Sequence, residues 1–146
     1  MPASNAFRLS LANLLLQNAA IADIGNTAGL QPSGVAGSLY IGLHTADPTL
    51  TGNQTTNEAT YTGYARVAVP RTSAAWTTTA GTFANAATVT FPAATAGTNT
   101  ITYFSIGTLA SGTGDLLLSG ALTSSLAVSA GISPSFAVGA LSGTIS

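Results

Sequence analysis

The sequence has no cysteine, no lysine and a single histidine among its 146 residues. Without cysteine there are no disulfides and no thiolate ligands for a metal. Charged residues make up only 5% of the chain, against about a quarter in an ordinary soluble domain. The cations are Arg8, Arg66 and Arg71 and the acids are Asp23, Asp47, Glu58 and Asp115. No basic stripe exists to neutralise a run of phosphates, so nucleic acid is not expected as a partner. No run approaches the roughly 18 apolar residues that a membrane helix needs, so no membrane partner is expected either. A formal net charge of −1 gives little protection against association. The polar skin must come from Thr, Ser, Asn and Gln, which bond without the penalty of dehydrating an ion. Such a skin suits a chain packed against other protein.

Residues 7–22, FRLSLANLLLQNAAIA, share the outline of a secretory leader. Asn13, Gln17 and Asn18 break its apolar stretch and Arg8 alone is a thin positive start, so the segment is read as structural. Ser4 or Asn5 can cap a helix in which Phe7, Leu11, Leu14 and Leu15 fall at i, i+4, i+7 and i+8, with Leu9 and Leu16 widening the stripe. Gly25 is the expected stop, and the Gly- and Pro-bearing connector NTAGLQPSGVAG follows. Residues 1–37 are thus expected as a helix and connector, either a docking arm or a closure of one end of its own sandwich, ahead of a β-sandwich body over 38–146.

In the body the period changes to 2. Leu39, Ile41 and Leu43 alternate with Tyr40, Gly42 and His44, and Asp47-Pro48 ends that strand in a turn. Strand-forming runs follow: GYARVAVPR, AAWTTT, TFANAATVTFP, TITYFSIGT, DLLLSGAL, LAVS, SFAV and ALSGTI. Eight or nine short strands at this spacing predict a mainly β fold, an antiparallel, jelly-roll-like β-sandwich with one N-terminal α-helix.

Chemistry is scarce. His44 is expected at an exposed strand end; with Asp47 nearby it could be oriented as a base, but no G-x-S-x-G elbow supplies a nucleophile. Asp47, Asn53, Asn57 and Glu58 share a loop without the placement that makes a calcium loop specific. Two carboxylates across a cleft would be needed for glycoside hydrolysis, and nothing places Asp47 or Glu58 against Asp115. The reading is no catalytic residue, no metal and no cofactor. Arg66, Arg71 and Trp76, with Phe7, Leu11, Leu14 and Leu15, are the candidate interface residues, since arginine and aromatic anchors dominate protein contacts. Tyr40, Tyr61, Tyr64, Trp76 and Tyr103 would be the platform of a carbohydrate-binding module if they gathered on one exposed face.

The succession LYIGLHTADPTLTGNQTTNEATYTGYARVAVPRT, then FANAATVTFPAAT, ITYFSIGT and LLLSGALTSSLAVSAGISPSFAVGAL resembles a group of small structural proteins of tailed bacteriophages and prophages, commonly labelled tail-fibre-like or virion proteins. The resemblance covers nearly the whole chain after Gly37. It implies a non-enzymatic virion component with no catalytic residues. Two placements follow: a decoration or cement protein on the outer capsid surface, a homotrimer bound to the major capsid protein, or a tail or fibre component assembled with other tail proteins. The lack of heptads and long repeats favours decoration.

Overall fold

The computed structural model describes residues 2–145. Met1 and Ser146, at the outer ends of the two expected segments, lie outside the described residues. The fold is mainly β, with antiparallel sheets and one N-terminal helix, α1 (Asn5–Gln17). The strands are β1 (Ser38–His44), β2 (Val67–Pro70), β3 (Trp76–Thr79), β4 (Thr82–Asn85), β5 (Val89–Thr90), β6 (Asn99–Gly107), β7 (Leu116–Val128), β8 (Ser135–Phe136) and β9 (Ser142–Thr144). They form sheets of order β2-β1-β6-β7, β3-β4-β9 and β5-β8, and the chain divides into two compact units.

The first unit joins the N-terminal segment through Ser38 with Pro70–Thr88 and the chain from Ala137 onward. Ser4 caps α1, its hydroxyl accepting the Phe7 N–H at 3.2 Å. The helix stops at Asn18, not at Gly25. Asn18 takes up the left-handed conformation at φ 55°, which asparagine tolerates. Its side chain donates to the Ser33 carbonyl (2.8 Å) and accepts the Ser33 N–H (2.9 Å), fixing the connector as the chain leaves the helix. Ala12 and Leu16 are fully buried, while the Gln17 amide donates to the Trp76 carbonyl at 2.8 Å and to the Thr78 hydroxyl at 3.2 Å. The helix therefore covers β3 with a face of mixed character. Trp76 is fully buried, edge to face with Phe83 at 6.3 Å between centroids. Strands β3 and β4 are joined by Ala80 (φ 50°) and Gly81 (φ 88°), both left-handed, as a tight hairpin matched to strand twist requires. Buried Asn85 fastens the last segment, donating to the Ala87 and Ala137 carbonyls and accepting the Leu141 N–H.

The second unit comprises Leu39–Val69 and Val89–Phe136. Strand β1 lies between β2 and β6, and its apolar residues face those of β6, Ile41 opposite Ile106 and Leu43 opposite Phe104. These side chains are at most 4% exposed, and each such burial stabilises by about 1.5–3 kcal/mol. Tyr61, Tyr64, Phe91 and Phe136 form a chain of aromatic contacts with centroids 5.4–6.3 Å apart. The runs DLLLSGAL and LAVS, read as separate strands, are one. Strand β7 pairs with β6 through Ala121 opposite Tyr103 and again through Leu126 opposite Ile101, so Leu122–Ser125 bulge against Thr102 alone. A second irregularity sets Leu117 outside the pairing of Leu116 with Gly107 and Leu118 with Ile106. Bulges tolerate extra residues without breaking a strand.

Candidate functional site

His44 ends β1, and it is buried, not exposed as alternation implied. Ile41, Gly42, Leu43 and His44 are all buried, so both faces of β1 are covered near this end. The Thr56 carbonyl, 2.8 Å from Nδ1, can only accept, which assigns the ring proton to Nδ1. Nε2 then accepts from the Ser105 hydroxyl at 2.7 Å. Burial lowers the pKa of His44 below the usual 6.5; the Thr56 bond and Glu58 oppose that shift, and Arg66 adds to it. An oriented imidazole bonded to a serine hydroxyl has the arrangement of a base and a nucleophile. Here His44 and Ser105 both have zero exposure. Gly42 lies directly over them, since a Cβ on it would stand 2.8 Å from Ser105 Oγ and 3.3 Å from His44 Nε2. No substrate carbonyl can reach this hydroxyl in the folded state. Asp47 is not the partner of His44; its carboxylate accepts the Thr49 N–H at 2.8 Å.

Beside this pair stands an ionic one. Arg66 forks onto Glu58, Nε to Oε1 at 2.6 Å and Nη2 to Oε2 at 2.7 Å, with side-chain exposures of 2% and 16%. The same guanidinium donates to the carbonyls of Leu109 (3.0 Å) and Gly112 (2.9 Å). Tyr64 donates its hydroxyl proton to Glu58 Oε1 at 2.9 Å and accepts the Leu43 N–H at 3.0 Å. Its pKa is raised well above the usual 10, chiefly by burial, with Glu58 adding to the shift and the Leu43 N–H opposing it. Buried Gln54 holds the same loop, accepting the Leu109 N–H and donating to the Leu109 carbonyl. It sits against Gly107 and Gly114, where a Cβ would occupy its place. A shallow cleft of about 220 Å³ opens above, lined by Glu58, Tyr64, Ala65, Arg66 and the loop Ala110–Gly112. The network fastens the β6–β7 loop, and its charged groups are engaged with one another or with backbone.

The candidate interface residues divide accordingly. Arg66 pairs with an acid of its own chain rather than at a subunit contact, and Trp76 is in the core. Arg71 donates to the Leu14 (2.6 Å), Leu15 (2.7 Å) and Ala36 carbonyls, satisfying carbonyls that α1 leaves open at its C-terminus. Leu11, Leu14 and Leu15 are half-buried, and Phe7 remains 43% exposed. Of the aromatic platform, Tyr61 and Trp76 are buried and Tyr40, Tyr64 and Tyr103 half-buried, so none of the five has the exposure expected of a sugar platform. Among the described residues no cluster of three His, Cys, Asp or Glu side chains could hold a metal, and no helix is long and apolar enough to cross a membrane.

Glu58, Tyr64, Ser105 and Gln54 were not singled out from sequence as a network. The available signal was glycine inside strand patterns, Gly42 and Gly107, which marks a close approach by another group.

No curated protein matches the chain. The family model for the podophage GP4 fiber I protein gp80 matches residues 4–144. With nearly every residue inside that match, the chain belongs to the podophage GP4 fiber I protein gp80 family and is a phage structural protein of the tail-fibre-like kind.

Proposed function

We propose that this chain is a non-enzymatic fibre component of a phage tail, held in the particle by contacts with other tail proteins and with copies of itself. The observation that carries the reading is the fibre-family match from residue 4 to residue 144. The geometry supports it in two ways. The one histidine–serine pair is sealed. And α1, the expected docking arm, is apolar on more than one side: Ala12 and Leu16 face its own unit, while Phe7, Leu11, Leu14 and Leu15 run along other faces and stay partly exposed. A helix whose apolar residues extend beyond the face it packs with has apolar surface left for a partner. The partly exposed line is the surface offered to a neighbour in the virion.

A second placement is decoration of the outer capsid surface, with the major capsid protein as partner and a trimer as the repeating unit. It is favoured by the absence of heptads or long repeats in the sequence. Immunogold labelling of intact particles separates the two. Label confined to the tail is the expected outcome; label spread over the head would overturn the fibre placement and favour decoration.

A further inference from the structure

The sheet β2-β1-β6-β7 has two edges of opposite character. On one side β2 is four residues long and ends at Pro70, which cannot donate to a ladder. On the other side β7 runs for thirteen residues without a charge or a proline. Among the described residues its only hydrogen bonds are those to β6. The other sheet edges are short or occupied. In the three-stranded sheet β9 has three residues, and the Trp76 carbonyl of β3 is taken by Gln17. Among the described residues β7 thus holds the one long open row of backbone donors and acceptors. Its leucines on the core side, Leu116, Leu118, Leu122 and Leu126, are only half-buried, because the sheet ends where their next neighbours would stand.

We propose that β7 is a self-association edge, taking as its occupant the β7 strand of a second copy, antiparallel across a two-fold axis. Three features select a copy of the chain over another partner. Among the described residues an open edge of comparable length and neutrality is found only in β7 itself. Leu116–Val128 carry no charge, so like meets like without repulsion, whereas a charged segment would have to shed water for no ionic return. And the half-buried leucines of two copies are apolar surface of matching kind. The bulges at Leu117 and Leu122–Ser125 leave β7 two regular stretches, Leu118–Ala121 and Leu126–Val128, of which the first is the longer. Because the opposite edge is blunted at Pro70, the contact closes as a pair and does not propagate as a filament. It yields a dimer, not the trimer expected from sequence. The contact is a property of the isolated chain and is tested separately from the virion placement.

The cysteine-free sequence allows a direct test. Across an antiparallel two-fold pair, facing Cα atoms lie about 4.5–5.5 Å apart, within disulfide reach. Ser119→Cys and Ala121→Cys, both at exposed positions, oxidised singly and as a mixture of the two variants, should include one combination that forms a covalent dimer, whereas Thr77→Cys on the exposed face of β3 should remain uncoupled. Sedimentation equilibrium of the full chain should show a concentration-dependent dimer. Ser119→Lys combined with Ala121→Lys should abolish it with circular dichroism and melting temperature retained. A monomer at every concentration, or a dimer that survives both lysines while neither cysteine cross-links, would overturn the proposal. If the lysine variant misfolds, the cysteine pair decides.

Discussion

Removing Arg66 should be the most damaging single change in the second unit. Arg66→Met deletes two ionic hydrogen bonds to Glu58 and two to the carbonyls of Leu109 and Gly112. It strands a carboxylate whose side chain is 16% exposed with the Tyr64 hydroxyl as its remaining donor. Breaking a buried pair by removing one partner costs about 3–5 kcal/mol, most of it from the uncompensated charge. That is a large part of the 5–15 kcal/mol, roughly, that holds a domain together. The cause can be isolated with a cycle of Arg66→Met, Glu58→Gln and the double variant, measured by urea unfolding with far-ultraviolet circular dichroism. The double variant should be more stable than Arg66→Met alone, since no charge is then stranded. Arg66→Lys should recover only part of the loss, because an ammonium cannot fork onto a carboxylate and reach both carbonyls. A loss below about 1 kcal/mol for Arg66→Met would mean that the pair behaves like an exposed one, and the account of this network would be wrong.

Four further outcomes follow from the same geometry. Because burial holds the folded-state pKa of His44 below 6.5, the unfolded chain takes up a proton first as pH falls. The stability that depends on the neutral ring is therefore complete above about 6.5 and lost progressively below it; melting curves from pH 7.5 down to 5 should be flatter for His44→Gln than for the parent. His44→Ala should lower stability by about 2–4 kcal/mol through a cavity and two orphaned partners, read by urea unfolding. Ala80→Asn should raise the melting temperature, gaining about 0.5–1 kcal/mol, because asparagine accepts the left-handed turn position more readily; no gain would argue against the turn. Gly107→Ala should cost about 1–3 kcal/mol by overpacking against buried Gln54, and Gln54→Ala in the same chain should give part of that back.

The elements with a clean period were readable in advance. The cap at Ser4 and the alternation of Leu39, Ile41 and Leu43 are local signals, and the structure keeps both. Glycine is the usual terminator, which points to Gly25; Asn18 ends the helix earlier, held by bonds to Ser33, a partner fifteen residues away that no local pattern announces. His44 was placed in solvent because alternation assigns a strand one wet face, and that rule fails in a central strand covered on both sides. The polar break LTSS separated what is one strand, since a four-residue bulge leaves no signature beyond the break itself. Of the network around Glu58, the arginine and the acid were each noticed, but their pairing depends on how the chain folds back between residues 58 and 66. Arg71 was read as an anchor for a partner, whereas tertiary contact makes it a remote cap for a helix it does not belong to.

That use of the arginines settles the electrical character of the outside. Glu58 and Arg66 cancel within the chain, and Arg71 is bound to helix carbonyls. Of the other charges Asp23, Asp47 and Asp115 are exposed and Arg8 is half-buried, bonded to Asn5, so the outside carries few charges of either sign. Contacts made by such a surface rest on apolar burial and neutral hydrogen bonds, which counterions hardly weaken and excluded salts such as sulfate strengthen. Joints of this kind should hold in dilute fresh water and in concentrated brine alike, where a charge-stitched assembly would loosen as ionic strength rose.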